Sequence, residues 1–502
     1  MLKKLLKQNI KTKGLQIKPG LKAASLDIAQ ISDINSLVYP LEDAKLNTYI
    51  PTVSIGDKVK KGQVIAEAEN AHGLKILAAL DGVIETIDEV KAPLPQKITP
   101  ALIIKPDNKK YWFDDVFFNI DVKLDEYPKE MIFEKIVQAN IQGLGGGLFL
   151  SAKKILGSNI EHIVLNAVEC EPILNCDEAV LYNYLAEVLA GGIFLKNAAK
   201  AKTITIVLKE NKKDLINHIS HFVKNNEQFN GINLATVPDL YPSGAEKEIL
   251  KHVFNTKLTS AQHATDHGFL MQNVMTCVSI FRAVTCDLPQ LERVFSVFGK
   301  NIESPTNLVA PIGVTVEDIL AFLKIDSNKV DSIRIGGLMM GEDIVKGTSR
   351  KHSALLKSSN GIILNTYEDK EVSECINCGE CVKACPVDLV PNKMFKAAQA
   401  DDFNSSYLKN LSECMNCNLC NYVCPSNIDL VGMFKYAKQQ KAMIQEEQKR
   451  AEYINNLTQK KIERTKFEKQ EKERIKQERK LARQKRLEEK QKKEQETNET
   501  TA

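Results

Sequence analysis

The sequence predicts a multidomain chain of α/β and α+β units that closes in a charged helical tail. Three observations carry this expectation. Strand-like apolar runs alternate with helical periodicity through the middle of the chain. A four-cysteine pattern occurs twice on the C-terminal side. The length of 502 residues exceeds what one core holds, and about three domains of roughly 150 residues is the expectation.

In chain order, an N-terminal segment (1–37) leads into short β-rich runs separated by turn signals at Gly56-Asp57, Lys61-Gly62 and Asp81-Gly82. This stretch (38–106) resembles the barrel-sandwich fold of biotinyl and lipoyl domains. Lys75 lies near where those domains carry a modified lysine, but Gly-Leu-Lys-Ile-Leu lacks the usual neighbours, so a packing or docking module is expected. From 130 to 300, the runs EHIVLNAVE and TITIVLKE read as strands. The segments CDEAVLYNYLAEVLAGG and AEKEILKHVF carry helical spacing, which together predicts a largely parallel sheet. A small α+β module follows (305–350), then the cysteine clusters among short helices (366–435). The last stretch (438–502) is almost wholly Lys, Glu, Gln and Arg. Pairs such as Glu446/Arg450 and Glu468/Lys472 support a solvated helix. That tail reads as a charged mobile extension, with docking on a partner or on anionic lipid headgroups as the sharper alternative.

The formal net charge of +4 is too small to argue for nucleic acid. No run approaches the ~20 apolar residues needed to span a bilayer. The basic opening MLKKLLKQNIKTKG is not followed by an apolar core and a cleavage site, so no secretory signal is expected. The expectation is a cytosolic protein, held at a membrane only through partners.

Eight of the 12 cysteines fall between Cys375 and Cys424. The first cluster is Cys375-x2-Cys378-x2-Cys381-x3-Cys385-Pro386, and the second is Cys414-x2-Cys417-x2-Cys420-x3-Cys424-Pro425. In a reducing compartment such crowding argues for metal rather than disulfides. Zinc also accepts paired Cys-x2-Cys, but it has no use for a fourth cysteine followed by proline at this spacing. Two complete copies point to two 4Fe–4S clusters in a two-cluster ferredoxin-like helical domain. In such domains the fourth cysteine of each motif ligates the other cluster. On that rule Cys375, Cys378, Cys381 and Cys424 hold one, and Cys414, Cys417, Cys420 and Cys385 the other. Cys170, Cys176, Cys277 and Cys286 show no ligand spacing and read as structural.

Other elements could hold an organic cofactor. Gly143-Leu144-Gly145-Gly146-Gly147-Leu148-Phe149 precedes a helical stretch containing Lys153 and Lys154, so backbone N–H groups and a helix start could face a phosphate. Asn166, Glu169 and Glu171 fall at the carboxyl end of a strand, where open α/β sheets bind ligands. Tyr241 to Lys247 reads as a turn into a helix. Gln272-Asn273-Val274-Met275-Thr276 places polar side chains ahead of another.

These ordered motifs, from about Val38 to Pro425, resemble the C subunit of the Rnf/Rsx electron transport complex and, more distantly, the flavin- and NADH-binding subunit of complex I. The resemblance implies a complex-I-flavoprotein-like α/β domain with FMN bound and NADH as substrate. It also implies a soluble-ligand-binding β-grasp module (SLBB-like) at 305–350. Gly143, Gly145 and Gly146 would line the FMN site and Lys154 would meet its phosphate. Asn166, Glu169, Glu246, Asn273 and Thr276 would contact the flavin, Phe149 would stack near the dinucleotide, and Glu171 would act next to the nicotinamide. The implied partners are the other subunits of such a complex and ferredoxin or another low-potential carrier, at the cytoplasmic face of the bacterial inner membrane. Three positions depart from the family pattern: Leu148 replaces a glycine, Leu150 a proline, and Ala179 stands where arginine is common. Two other readings compete: a cluster-only relay with a decayed flavin site, and a diaphorase subunit of a soluble hydrogenase or formate dehydrogenase.

Overall fold

The computed structural model describes residues 13–499, apart from 19, 44–46, 70–72, 92–97, 109–122, 157–158, 301, 346–352, 367 and 369. Two small antiparallel sheets form the N-terminal module. One orders Leu37–Pro40, Ile98–Pro106, Gly82–Lys91 and Lys58–Val59; the other orders Tyr49–Pro51, Val64–Ala68 and Lys75–Leu77. Tyr39, Val59, Ile65, Ile84, Leu102 and Ile104 share one buried cluster, while the alternate residues Val38, Ala101 and Ile103 are buried in another, so the first sheet is covered on both faces there.

The α/β domain holds a four-stranded parallel sheet in the order Ile232–Val237, Thr203–Lys209, His162–Asn166, Phe269–Asn273. The helices Leu185–Ala199 and Val274–Cys286 pack together in its main core. Their close approach needs Gly191, where an added Cβ would lie 2.0 Å from the carbonyl oxygen of Cys277. The helix Val274–Cys286 is capped by Asn273, whose side-chain oxygen accepts from the N–H of Met275.

The module expected at 305–350 draws on strands from outside those bounds. Its six-stranded mixed sheet runs Ile28–Gln30, Thr306–Pro311, Glu292–Gly299, Gly361–Leu364, Ser332–Ile335, Glu342–Val345. Segments placed by sequence in the N-terminal stretch and the α/β domain thus belong to this sheet, because strand partners are chosen by pairing across the fold rather than by proximity in the chain. One hydrophobic core joins this sheet to the barrel-sandwich module, with Leu37, Tyr39 and Ile104 in the same cluster as Phe295, Leu308 and Ile319.

The cysteine region forms its own core around Met394, Leu408, Leu430, Val431 and Phe434. The helix Leu430–Glu499, about 105 Å long at 1.5 Å per residue, begins inside that core, and beyond Lys441 its described side chains are almost all exposed. The charged stretch is therefore one helix continuous with the cluster domain. Among the described residues no single helix is long and apolar enough to cross a membrane.

Candidate electron-transfer site

The two cysteine motifs trace nearly the same backbone. Asn377 and Asn416, each between the first two cysteines of its motif, are left-handed (φ +56° and +55°). Gly379 and Asn418, each following the second cysteine, are left-handed as well (φ +79° and +60°). Asparagine and glycine tolerate this region best, and the reversals let the chain wrap its thiols around a common centre. Two cavities result. One, of about 340 Å³, is lined by Cys375, Cys378, Cys381 and Cys424; the other, of about 330 Å³, by Cys385, Cys414, Cys417 and Cys420. Each cavity gathers three cysteines from one motif and the fourth from the other. Burial, followed by the neighbouring sulfurs, pushes the free thiol of Cys420 up and that of Cys417 up to about 11. Ligation requires thiolates, so loading these sites releases protons. The donor set, all sulfur and fourfold in each cavity, fits a cubane cluster.

The settings of the cavities differ. Tyr241 donates its hydroxyl to the carbonyl oxygen of Cys417 at 2.8 Å, and Asn418 donates to the carbonyl oxygen of Met339 at 2.6 Å. Tyr241, Met339, Cys417 and Leu419 share a small buried cluster against which Cys170 packs. Glu413 accepts from the Ser260 N–H at 2.8 Å and pairs with Lys247 at 3.0 Å, tying the second motif to the α/β domain. On the walls of the first cavity Cys378 is exposed, and the apolar Ile376 stands 68% exposed.

The glycine loop lies at the carboxyl end of the parallel sheet. The Gly143 N–H donates to the carbonyl oxygen of Phe149 and the Leu148 N–H to that of Gly143, closing the loop on itself. Gly145, Gly146 and Gly147 are exposed, Gly146 is left-handed (φ +88°), and a Cβ there would meet nothing within 4 Å. This leaves an open, glycine-lined cradle of the kind that receives a phosphate. Leu148, where the family has glycine, takes a left-handed conformation (φ +49°) with its side chain buried. It keeps the loop shape at a cost of about 1–2 kcal/mol.

Around the cradle the structure brings Asn166, Glu169, Asn273 and Thr276 together. Asn166 and Asn273 are register partners on adjacent strands. Thr276 accepts from the Leu144 N–H at 2.9 Å, and a Cβ on Gly145 would lie 3.3 Å from that of Asn273. Lys154 turns inward, donating to the carbonyl oxygen of Met271 at 3.1 Å. Burial lowers its pKa, and the nearby Glu246 opposes that shift. Glu246 itself accepts weakly from the Ala264 N–H at 3.3 Å. Phe149 stands 53% exposed at the cradle's edge with the Lys154 ammonium 6.0 Å from its ring centre.

Two residues absent from the sequence-derived set belong here. Glu169 accepts from the Cys176 thiol at 3.2 Å and the Asp177 N–H at 3.0 Å, while Asn273 donates to Asp177 at 2.8 Å. The ligand atoms of Glu169, Cys176 and Asp177 lie within 4.8 Å of one another. Burial, then the Glu169 carboxylate, pushes Asp177 up to about 8. Buried Arg293 bridges the rear of the loop, donating to the carbonyl oxygen of Leu144 at 3.4 Å and to Asn360 at 2.6 Å. The acid following Cys176 was visible in sequence; its closeness to Glu169 and Asn273 was not.

Glu171 lies apart from this group. Its two oxygens accept from the backbone N–H groups of Met339 at 2.8 Å and Met340 at 3.0 Å, and a Cβ on Gly337 would clash with it at 2.0 Å. The carboxylate is used as a clamp to the six-stranded sheet's Gly-Gly loop. Three consecutive residues thus face three neighbourhoods: Glu169 the cradle, Cys170 the buried cysteine cavity's shell, and Glu171 the loop contacting that shell.

The C subunit of an ion-translocating oxidoreductase complex from Buchnera aphidicola subsp. Acyrthosiphon pisum is 32% identical to this chain over 349 residues, covering 68% of the chain and 71% of that protein. The chain belongs to this C-subunit family. A relative of the same name from Vibrio cholerae is 29% identical over 378 residues, 74% of this chain and 48% of the relative. One from Pasteurella multocida is 28% identical over 386 residues, 73% and 45%. The chain spans about half the length of these last two. Residues 12–109 match the RnfC barrel sandwich hybrid domain, 136–282 the Nuo51 FMN-binding domain and 371–428 the 4Fe-4S dicluster domain. The family and the latter two domains make FMN and two 4Fe–4S clusters its cofactors. A crystal structure of an NAD+-reducing NiFe-hydrogenase aligns at a TM-score of 0.42 with 18% identity, over 48% of this chain and 50% of that one, too slight a likeness to argue from.

Proposed function

We propose that this chain is the peripheral subunit through which a membrane-bound Rnf/Rsx-type complex exchanges electrons between NADH and a low-potential acceptor such as ferredoxin, coupled to ion movement. It would sit at the cytoplasmic face of the inner membrane, held there by the other subunits of the complex. The observation that carries this reading is the run Glu169-Cys170-Glu171, which joins the glycine cradle to the shell of one cysteine cavity within three residues.

FMN, when bound, supplies the conversion between a two-electron hydride and single electrons, and the clusters carry those electrons singly. The residues of this chain would position and insulate. Gly145, Gly146 and Gly147 offer backbone to the phosphate, with Gly143 closing the loop. Lys154, released from Met271, would meet it. Asn166, Glu169, Glu246, Asn273 and Thr276 would line the flavin, and Phe149 would shield the dinucleotide. Asp177, holding a proton at its carboxyl near neutral pH, is suited to donate to a flavin carbonyl. We assign Glu171 a positioning role rather than contact with nicotinamide, because its oxygens are engaged by Met339 and Met340. The cysteines of the buried cavity (385, 414, 417, 420) would ligate the cluster that exchanges electrons with the flavin. Those of the exposed cavity (375, 378, 381, 424) would ligate the one facing the partner. The six-stranded sheet would serve as the β-grasp module bracing the two.

Anaerobic purification followed by iron, sulfide and flavin analysis tests this directly. About eight irons and one FMN per chain, with visible absorbance bleached by NADH, are expected. Eight irons with no flavin and no response to NADH, even after added FMN, would leave a cluster-only relay instead.

A further inference from the structure

A cavity of about 700 Å³, partly open to solvent, lies where the barrel-sandwich module meets the base of the glycine loop and the segment preceding Gly361–Leu364. Its apolar walls include Ile76, Leu148 and Ile312. Leu148 is the one residue of the Gly143–Phe149 loop that reaches it, so it is separate from the exposed cradle.

Most of the polar groups on its walls are committed to the protein. Tyr39 accepts from the Ala79 N–H at 2.8 Å. Asp43 accepts from the Tyr49 hydroxyl at 3.0 Å and from both the N–H and the side chain of Asn47. Lys75 pairs with Glu67 at 3.2 Å. Gln142 and Gln290 bond each other through a backbone N–H and a backbone carbonyl oxygen. Lys357 stands out: it lines the cavity, and its nitrogen is buried with no hydrogen-bond partner. Desolvation pushes its pKa down to about 7.

Unpaired buried amines are rare in native structures, since the desolvation cost is met by no bond. An apolar pocket converging on one such group is the common form of a small-molecule site. We propose that this cavity binds a small monocarboxylate with an apolar body, its carboxylate paired with Lys357 and its body against Ile76, Leu148 and Ile312. One cation matches one negative charge. A dianionic phosphate would leave charge uncompensated beside the Asp43 and Glu42 carboxylates on the same walls.

Calorimetric titration of the intact, anaerobically purified protein with octanoate and with octan-1-ol tests the assignment. Octanoate is expected to bind at one site at least about tenfold more tightly than the alcohol, as a charge-assisted bond predicts. Lys357→Met, which removes an unpaired polar atom from an apolar wall, should abolish the preference, the now uncompensated carboxylate binding no better than the alcohol. Equal affinities in the native protein, or an octanoate preference that survives in Lys357→Met, would overturn the proposal. The comparison of the two ligands on the native protein does not rely on the variant folding.

Discussion

The cavity formed by Cys385, Cys414, Cys417 and Cys420 shares Cys417 and Leu419 with a buried cluster that includes Tyr241 and Met339, and it is tied through Glu413 to the α/β domain. The cavity formed by Cys375, Cys378, Cys381 and Cys424 has exposed Cys378 and Ile376 on its walls. Their motifs share spacing, proline and left-handed turns, so ligand chemistry does not distinguish them. What distinguishes them is what the surrounding chain does with the residues between the cysteines. Asn418 reaches Met339, whereas its counterpart Gly379 has no side chain to reach anything. A repeated motif can thus acquire a direction, inward at one copy and outward at the other, without changing its ligands.

The largest expected effect separates the copies by stability. Cys420→Ser should cost more of the cluster domain's fold than Cys378→Ser, because Cys420 is buried in that domain's core and Cys378 is exposed. Cluster binding energy is also folding energy. Thermal melts of the two loaded variants, with iron counted, would read this. Equal losses would mean that the difference in setting has no energetic weight.

Next comes the clamp on the inward side. Glu171→Ala leaves two backbone N–H groups without their acceptor and should destabilise by about 1–3 kcal/mol. It should slow electron exchange between flavin and clusters while flavin content stays unchanged. Loss of flavin instead would place Glu171 in the cofactor pocket after all.

A smaller effect concerns pH. The carboxyl of Asp177 is raised from 3.8 to about 8, so the folded chain keeps a proton that the unfolded chain releases. Its stabilising contribution is full below pH 3.8 and is lost as pH rises to about 8. Asp177→Asn carries no such dependence, so its melting temperature should gain on the native protein across that window and level off above it. Parallel curves would show that the carboxyl ionises freely. The smallest effect is expected at the tail: cutting after Gln445 removes a rod whose described side chains are exposed, apart from half-buried Glu471, and should leave cluster content and melting unchanged. A loss of either would show that the rod supports the outward cluster.

Much of this was legible in the sequence because it is local. Cysteine spacing, the glycine loop and the strand-to-helix alternation each depend on neighbouring residues, and the paired cysteine cavities and the parallel sheet follow from them. What the sequence leaves open is long-range. Strands Ile28–Gln30 and Gly361–Leu364 join one sheet from opposite ends of the chain, a pairing that alternation alone does not specify. Glu171 sits in an acidic strand end that suggests a ligand, but its partners lie 168 and 169 residues away. Asp177 is hidden in the sequence for the converse reason: as one acid at a helix start it looks like a dipole partner, and only folding brings Glu169 and Asn273 to it.

Passage of electrons between flavin and partner through the buried cluster first is tested most directly by reducing Cys420→Ser and Cys378→Ser with dithionite. The reductant is then removed, NAD+ is added, and the cluster signal is followed by electron paramagnetic resonance. Cys378→Ser, which keeps the inward site, should lose its signal promptly. Cys420→Ser, with only the outward site intact, should hold its signal far longer. Prompt reoxidation in Cys420→Ser with a persistent signal in Cys378→Ser would reverse this order and contradict the inward assignment.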